Sequence, residues 1–301
     1  MPPRHFLEAP PGSTIVFPCA ISLMHEYIDA HNHLQDVLLT HDLDKALTAV
    51  RSLPVRWMVV NGTTETDWAI VHRLAKDLPF VIPSYGLHPW YLRQRSQSWA
   101  KKLYDYLVES PAAVGETGLD RWIKDYDFES QQAILRKHLA FAAELDRPLT
   151  VHCLRAWEEL LDLLGTSPRL ARGFLLHSYG GPVELVDSFV ELGAYFSFSG
   201  YFLNENKKAK LALFCDIPAD RLLVETDAPA MPLPPDRIEF PLPQTEEGLY
   251  PNHPANIRAV YRGLAELRQL PEQELAAMVR RNFDRLFQTV IRDLGPRNML
   301  A

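Results

Sequence analysis

The chain has 301 residues, 47% of them hydrophobic and 23% charged, with a formal net charge of −7. That length suits one α/β barrel of typically ~250 residues or somewhat more, and it can bury a large core without staples. The charge argues against a broad nucleic-acid footprint, although bound cations can still create a local phosphate site, and no apolar run is long enough to span a bilayer.

Residues 1–25 read as an N-terminal extension. Residues 14–24 are mostly apolar but short and carry Pro18, and Arg4 gives only a weak signal-peptide n-region. Met24 sits just before the first strand, where a start would suit the fold. From there strand-like and helix-like segments alternate. A short apolar strand spans 27–30. Leu43, Ala46, Leu47 and Val50 share one face of a helix over 42–53. Strand 55–60 is closed by Asn61-Gly62. Helix 67–77, strand 80–86, helix 98–110 and strand 112–116 follow. A long amphipathic helix covers 128–145. Then come strand 149–152, helix 155–164, strand 173–177, helix 182–192 with Pro182 at its start, strand 194–199, helix 204–215 and strand 221–225. The proline-rich stretch 228–254 reads as an ordered loop at the rim. Helices 254–268 and 271–287 end a domain expected over 26–290, leaving 291–301 as a tail.

Eight strands alternating with helices imply parallel βα units, and eight is the closure number of a (β/α)₈ TIM barrel, here a single domain. The absence of a G-x-G-x-x-G run after the first strand weakens a dinucleotide-binding alternative. Cys19, Cys153 and Cys215 are odd in number and lack framework spacing. They read as free thiols, with a cytoplasmic location expected.

The chemistry lies at the strand ends. In Asp29-Ala-His31-Asn-His33, residues two apart face the same side, so two imidazoles can grip one metal from a rigid edge, with Asp29 behind them. Glu116, His152, His177 and Asp227 end strands four, five, six and eight. Each alone has a bland explanation as a rim, cap or core residue; agreement at five strand ends does not. The set suits Zn²⁺ or Mn²⁺ and leaves Mg²⁺ open. We assign His31, His33 and Asp227 to one divalent cation, His152 and His177 to a second, and Glu116 between them. Such a pair lowers the pKa of water and clamps the oxygens of a displacement reaction. Glu116 and Asp227 are the catalytic candidates, Asp227 as general base. One cation is the alternative.

The motifs Asp29-Ala-His31-Asn-His33-Leu34, Gly86-Leu-His88-Pro89, Gly115-Glu116-Thr-Gly-Leu-Asp120, Val151-His152-Cys153, His177-Ser-Tyr179-Gly-Gly181, Glu225-Thr-Asp227-Ala-Pro229 and Asn252-His-Pro-Ala-Asn256 occur in this order. Together they resemble the TatD family of metal-dependent hydrolases and DNases over roughly residues 27–288. The resemblance implies a TIM barrel, metal ligands at His31, His33, Glu116, His152, His177 and Asp227, and an ester-cleaving hydrolase. The implied activity is that of a deoxyribonuclease or phosphodiesterase, of 3′→5′ exonuclease type. D-aminoacyl-tRNA deacylation and an amidohydrolase- or lactonase-type reaction on the same site are alternatives. The run after His177, and Ala230-Met-Pro232 after Asp227, depart from the family pattern where a substrate would pass. His88, Trp90 and Tyr179 are candidate substrate contacts; Tyr201, Phe202, Arg121 and Lys124 are weaker ones. The expected partner is a nucleic acid or small phosphodiester, with no membrane, bound by a monomer.

Overall fold

The computed structural model describes residues 25–124 and 127–296. Apart from His25, the expected N-terminal extension lies outside the described residues. Eight parallel strands form the centre: β1 (Tyr27–Asn32), β2 (Val55–Asn61), β3 (Val81–Tyr85), β4 (Ala113–Asp120), β5 (Leu149–Leu154), β6 (Phe174–Leu176), β7 (Ala194–Ser199) and β8 (Leu222–Glu225). Neighbours pair in sequence order from β1 to β8. At the carboxyl ends of β1 and β8, Asp227 N–H donates to His31 O at 3.0 Å and His33 N–H to Ala228 O at 2.7 Å. These bonds bring the last strand against the first and nearly close the barrel, as eight βα units require.

Helices α1 (Val37–Thr40), α2 (Leu43–Arg51), α3 (Trp68–Asp77), α4 (Trp99–Glu109), α5 (Phe128–Glu144), α6 (Trp157–Gly165) and α7 (Val186–Glu191) follow the first six strands. Beyond β7 come α8 (Lys208–Leu211) and α9 (Leu213–Asp216). After β8 come α10 (Ile257–Arg268), α11 (Glu272–Leu286) and α12 (Gln288–Leu294). In α3, Trp68, Val71, Leu74 and Ala75 form the buried stripe, the 3.6-residue spacing of a helix lying on a sheet. Asp127 caps α5 by accepting from Ser130 N–H at 3.0 Å. The strands are buried on both faces and therefore read as near-continuous apolar runs.

Three elements depart from the sequence expectation. Strand β4 continues to Asp120, because Thr117 to Asp120 pair with Val151 to Leu154. The helix expected over 204–215 breaks into a short 3-10 turn, α8 and α9. Its first half offers no buried side chain, Leu213 and Phe214 are buried with Leu211 packing partly against the core, and without an apolar face along its whole length a short helix has little to hold it. The tail expected from residue 291 begins inside α12. The loop after β8 is ordered as expected: Asn256 Oδ1 accepts from Glu239 and Phe240 N–H, and Glu239 pairs with Arg258 and Arg262.

Candidate metal centre

The candidate side chains converge at the carboxyl ends of the strands, and Glu116 lies at their centre. Its position depends on an irregularity in β4. Val114 pairs with Leu149 and Thr117 with Val151, so three steps on β4 span two on β5. The extra residue is a bulge, which re-aims the local side chain. Close approach is built in beside it. Gly118 has φ +156°, and a Cβ there would lie 1.9 Å from His152 O. β1 has a similar extra residue between Asp29 and Asn32, where His31 sits.

The two oxygens of Glu116 face different groups. Oε2 lies 3.4 Å from His31 Nε2 and 3.3 Å from His33 Nε2. Oε1 lies 3.3 Å from His152 Nδ1 and 2.9 Å from His177 Nε2. Asp227 Oδ1 is 3.4 Å from both His31 Nε2 and His33 Nε2. Among the described residues, three groups have ligand atoms mutually within 4.8 Å: His31–His33–Asp227, His31–His177–Glu225 and His88–Glu116–His152. Glu116 is 2% exposed, and such a buried carboxylate persists only with charged or hydrogen-bonding partners. Burial alone would raise its pKa, but the surrounding imidazoles hold it well below the usual range.

The far ring nitrogens show what the near ones can do. His33 Nδ1–H donates to Asn61 O at 2.8 Å, and His152 Nε2–H donates to Asp120 Oδ2 at 2.9 Å. In the neutral ring the proton is spent there and the nitrogen facing Glu116 carries a lone pair, the form a metal needs; burial disfavours the charged ring, but the carboxylates beside His33 and His152 raise both pKa values above the ordinary one. His177 Nδ1 likewise faces Glu225 Oε1 at 3.6 Å. His88 is the opposite case. Its Nδ1 accepts from Trp90 N–H at 3.2 Å, so the neutral ring carries its proton on Nε2. That N–H points at Glu116 Oε1, 3.4 Å away. Burial holds the His88 pKa at about 4, so the ring is neutral. His88 can therefore donate to an oxygen but offers no lone pair to a cation in this tautomer.

Other residues have clear places. Asp29 touches no imidazole nitrogen; its carboxyl accepts from Thr226 N–H at 2.9 Å and Thr226 Oγ1 at 2.6 Å. It ties β1 to the turn carrying Asp227 instead of orienting a histidine. Asn252 Nδ2 donates to Thr226 O at 2.8 Å and secures the same turn. Glu225 is fully buried and accepts from Ser178 Oγ at 2.5 Å and from Ser197 Oγ. With both oxygens bonded, it stands behind His177. Arg155, Ser178 and Asp227, just past β5, β6 and β8, have φ of 58°, 42° and 53°. Backbone in this left-handed region is costly and gathers at functional sites.

The substrate-contact candidates divide. His88 and Trp90 lie at the cluster, with ring centroids 5.3 Å apart. Tyr179 does not. It is buried, its hydroxyl donates to Pro182 O at 2.7 Å, and it packs against Trp157 and Phe196. An aromatic ring beside a glycine pair fills the core here and does not reach into the mouth. Phe202 is also buried, and Tyr201 sits under Lys207. Arg121 is paired with Glu159. Sequence reasoning gave no site role to Asp120, which accepts from His152, from Trp90 Nε1 at 2.6 Å and from Trp122 N–H at 2.6 Å. Burial raises its pKa, but the bonds from His152 and Trp90 overcome this and hold it at about 2. Its position two residues past Gly118, on the same strand face as Glu116, was the available signal.

Known proteins share this arrangement of chain. The TatD related DNase family matches residues 28–288. The 3′-5′ ssDNA/RNA exonuclease TatD of Edwardsiella piscicida is 32% identical over 242 residues, covering 78% of this chain and 91% of its own. The metal-dependent hydrolase YjjV of Escherichia coli K12 is 30% identical over 264 residues, covering 87% and 97%. The crystal structure of that TatD homologue superposes with a TM-score of 0.79 over 87% of this chain and 98% of the other. A TatD family hydrolase from Entamoeba histolytica, 18% identical, shares the fold with a TM-score of 0.75. With the family matched over nearly the whole barrel, and histidine and carboxylate clusters fit for a metal at its mouth, this chain belongs to the TatD family of metal-dependent hydrolases.

Proposed function

We propose that the chain is a phosphodiesterase acting on the ends of single-stranded nucleic acid, a 3′→5′ exonuclease in type, with two divalent cations (Zn²⁺, Mn²⁺ or Mg²⁺) held at its barrel mouth. The observation that carries this reading is the division of Glu116, with Oε2 toward His31 and His33 and Oε1 toward His152 and His177. His31, His33 and Asp227 would hold one cation, His152 and His177 a second, and Glu116, with an oxygen toward each set, would serve both. When bound, the cations would lower the pKa of a water and neutralise charge on the phosphoryl oxygens. The chain's own groups do the rest. Asp227 is placed to take the proton of the attacking water. The His88 N–H donates to a phosphoryl oxygen. Asp120 would orient the ring of His152 through its hydrogen bond, and the Glu225 carboxylate behind His177 would raise that ring's basicity. The relatives described as ssDNA/RNA exonucleases support the choice of substrate.

The test strips the protein of metal, reloads it with Mg²⁺, Mn²⁺ or Zn²⁺, and adds a single-stranded oligonucleotide labelled at either end. Metal-dependent shortening from the 3′ end, absent in Glu116→Ala, is expected. Two bound metals with no cleavage of any phosphodiester would overturn the reading and turn the search toward aminoacyl esters, amides and lactones.

A further inference from the structure

The exposed apolar side chains are unevenly placed. Among the described residues they are Val37, Leu38, Trp90, Val108, Trp122, Val183, Leu249 and Tyr250. All but Val108 lie in loops, 3-10 turns or the one-turn helix α1 that follow the carboxyl end of a strand, hence on the face that carries the histidine cluster. Two of them are tryptophans, 51% and 59% exposed: the indole of Trp90 and the backbone of Trp122 both bond to Asp120. Trp90 is held through its indole N–H and Trp122 through its backbone N–H. The same carboxylate holds His152. One residue therefore ties the Trp90 indole to the cluster and anchors the backbone that carries Trp122.

Cations accompany the rings. The Arg155 guanidinium lies 3.9 Å from the Trp122 ring centroid, and no carboxylate lies within ion-pair reach of it among the described residues. A hollow of about 160 Å³ opens beside Trp90, lined by Arg93, Arg95 and Lys124, with Asp127 as the opposing charge. A single exposed indole is ordinary on a soluble protein, but two of them more than half exposed on the face of the histidine cluster mark a surface for a ligand. Interleaved aromatic faces and cations, next to a phosphoryl-transfer site, fit a strand whose bases stack and whose phosphates need neutralising. On a chain of net charge −7 such a local grip cannot come from the overall field.

We infer that Trp90 and Trp122, with Arg155, form a stacking platform for the bases of a single-stranded nucleic acid whose terminal phosphodiester reaches the cluster. The inference rests on the function proposed above. Trp122 supplies a face that carries no chemistry of its own, and Asp120 anchors the backbone beneath it while bonding His152. The preference is for any base over none, because every base has a π-face.

The test compares two labelled phosphorothioate strands of about ten nucleotides, one with bases and one abasic, on Mn²⁺-loaded protein by fluorescence anisotropy. The parent is expected to bind the base-bearing strand roughly 5- to 150-fold more tightly than the abasic one. Trp122→Ala should remove most of that preference and Trp122→Phe should retain most of it, whereas Val108→Ala on the outer helix should change neither affinity. Equal binding of both strands by the parent, or an unchanged preference in Trp122→Ala, would overturn the platform. Binding with bases preferred but without cleavage of an ordinary strand would remove the exonuclease reading and leave the platform standing. Absence of binding to either strand would remove both.

Discussion

The two sides of Glu116 hold their histidines in different ways. On the β1 and β8 side the negative charge stands in front: Asp227 faces His31 and His33, while the far nitrogen of His33 rests on a neutral backbone carbonyl, Asn61 O, which Gln35 also bonds at 2.6 Å. On the β5 and β6 side the charge stands behind: Asp120 backs His152, and Glu225 backs His177. A charge in front can bind a cation or take a proton; a charge behind can only orient a ring and raise its basicity. The difference teaches that, under the proposed function, one side would act and the other would hold.

The largest effect should come from the group common to both sides. Glu116→Ala should lower turnover by roughly 10³-fold and reduce bound metal at both positions, as read by elemental analysis. Full retention of one metal with turnover within tenfold of the parent would confine Glu116 to one side. Next, Asp120→Asn and Glu225→Gln should each weaken metal retention against a chelator by about 10- to 100-fold. Gln35→Ala, behind the other side, should have a smaller effect; equal losses would erase the distinction.

A third expectation concerns the loop that brings His88 to the β5 side. His138 Nε2 accepts from Leu87 N–H at 3.2 Å, and its Nδ1–H donates to Ile134 O at 2.8 Å. Burial holds its pKa at about 4, against an ordinary value of 6.5. Between these values the unfolded chain takes up a proton that the native chain refuses. This contribution is therefore present at pH 7 and is lost as the pH falls from 6.5 toward 4. The stability gap between the parent and His138→Gln, from urea unfolding, should shrink by about 3 kcal/mol over that range. A gap independent of pH would mean that His138 is protonated in the native state. The smallest effect belongs to Tyr179→Phe, which should cost about 1 kcal/mol in unfolding and leave kcat/KM unaltered. A tenfold fall in kcat/KM at unchanged stability would restore Tyr179 to the substrate side of the barrel.

Much of this was legible in the chain itself. The alternation of apolar runs and helical stripes determined eight βα units, since burial on both faces of a parallel sheet leaves a mark at every strand. The residue types at the strand ends, from His31 and His33 to Asp227, determined that the mouth carries a metal-competent chemistry. Local pattern could not supply the bulge at Glu116, because a one-residue register shift depends on which neighbour β4 pairs with. Nor could it separate Trp90 and Trp122, which stand open to solvent, from Tyr179, which is buried; exposure belongs to the packed barrel and not to the residue type. The tertiary structure also decided that a neutral His88 presents a proton toward Glu116 where neutral His33 and His152 rings present lone pairs. That choice rests on partners brought from other parts of the chain, such as Asn61 and Asp120, and a ring's tautomer is set by what its second nitrogen meets.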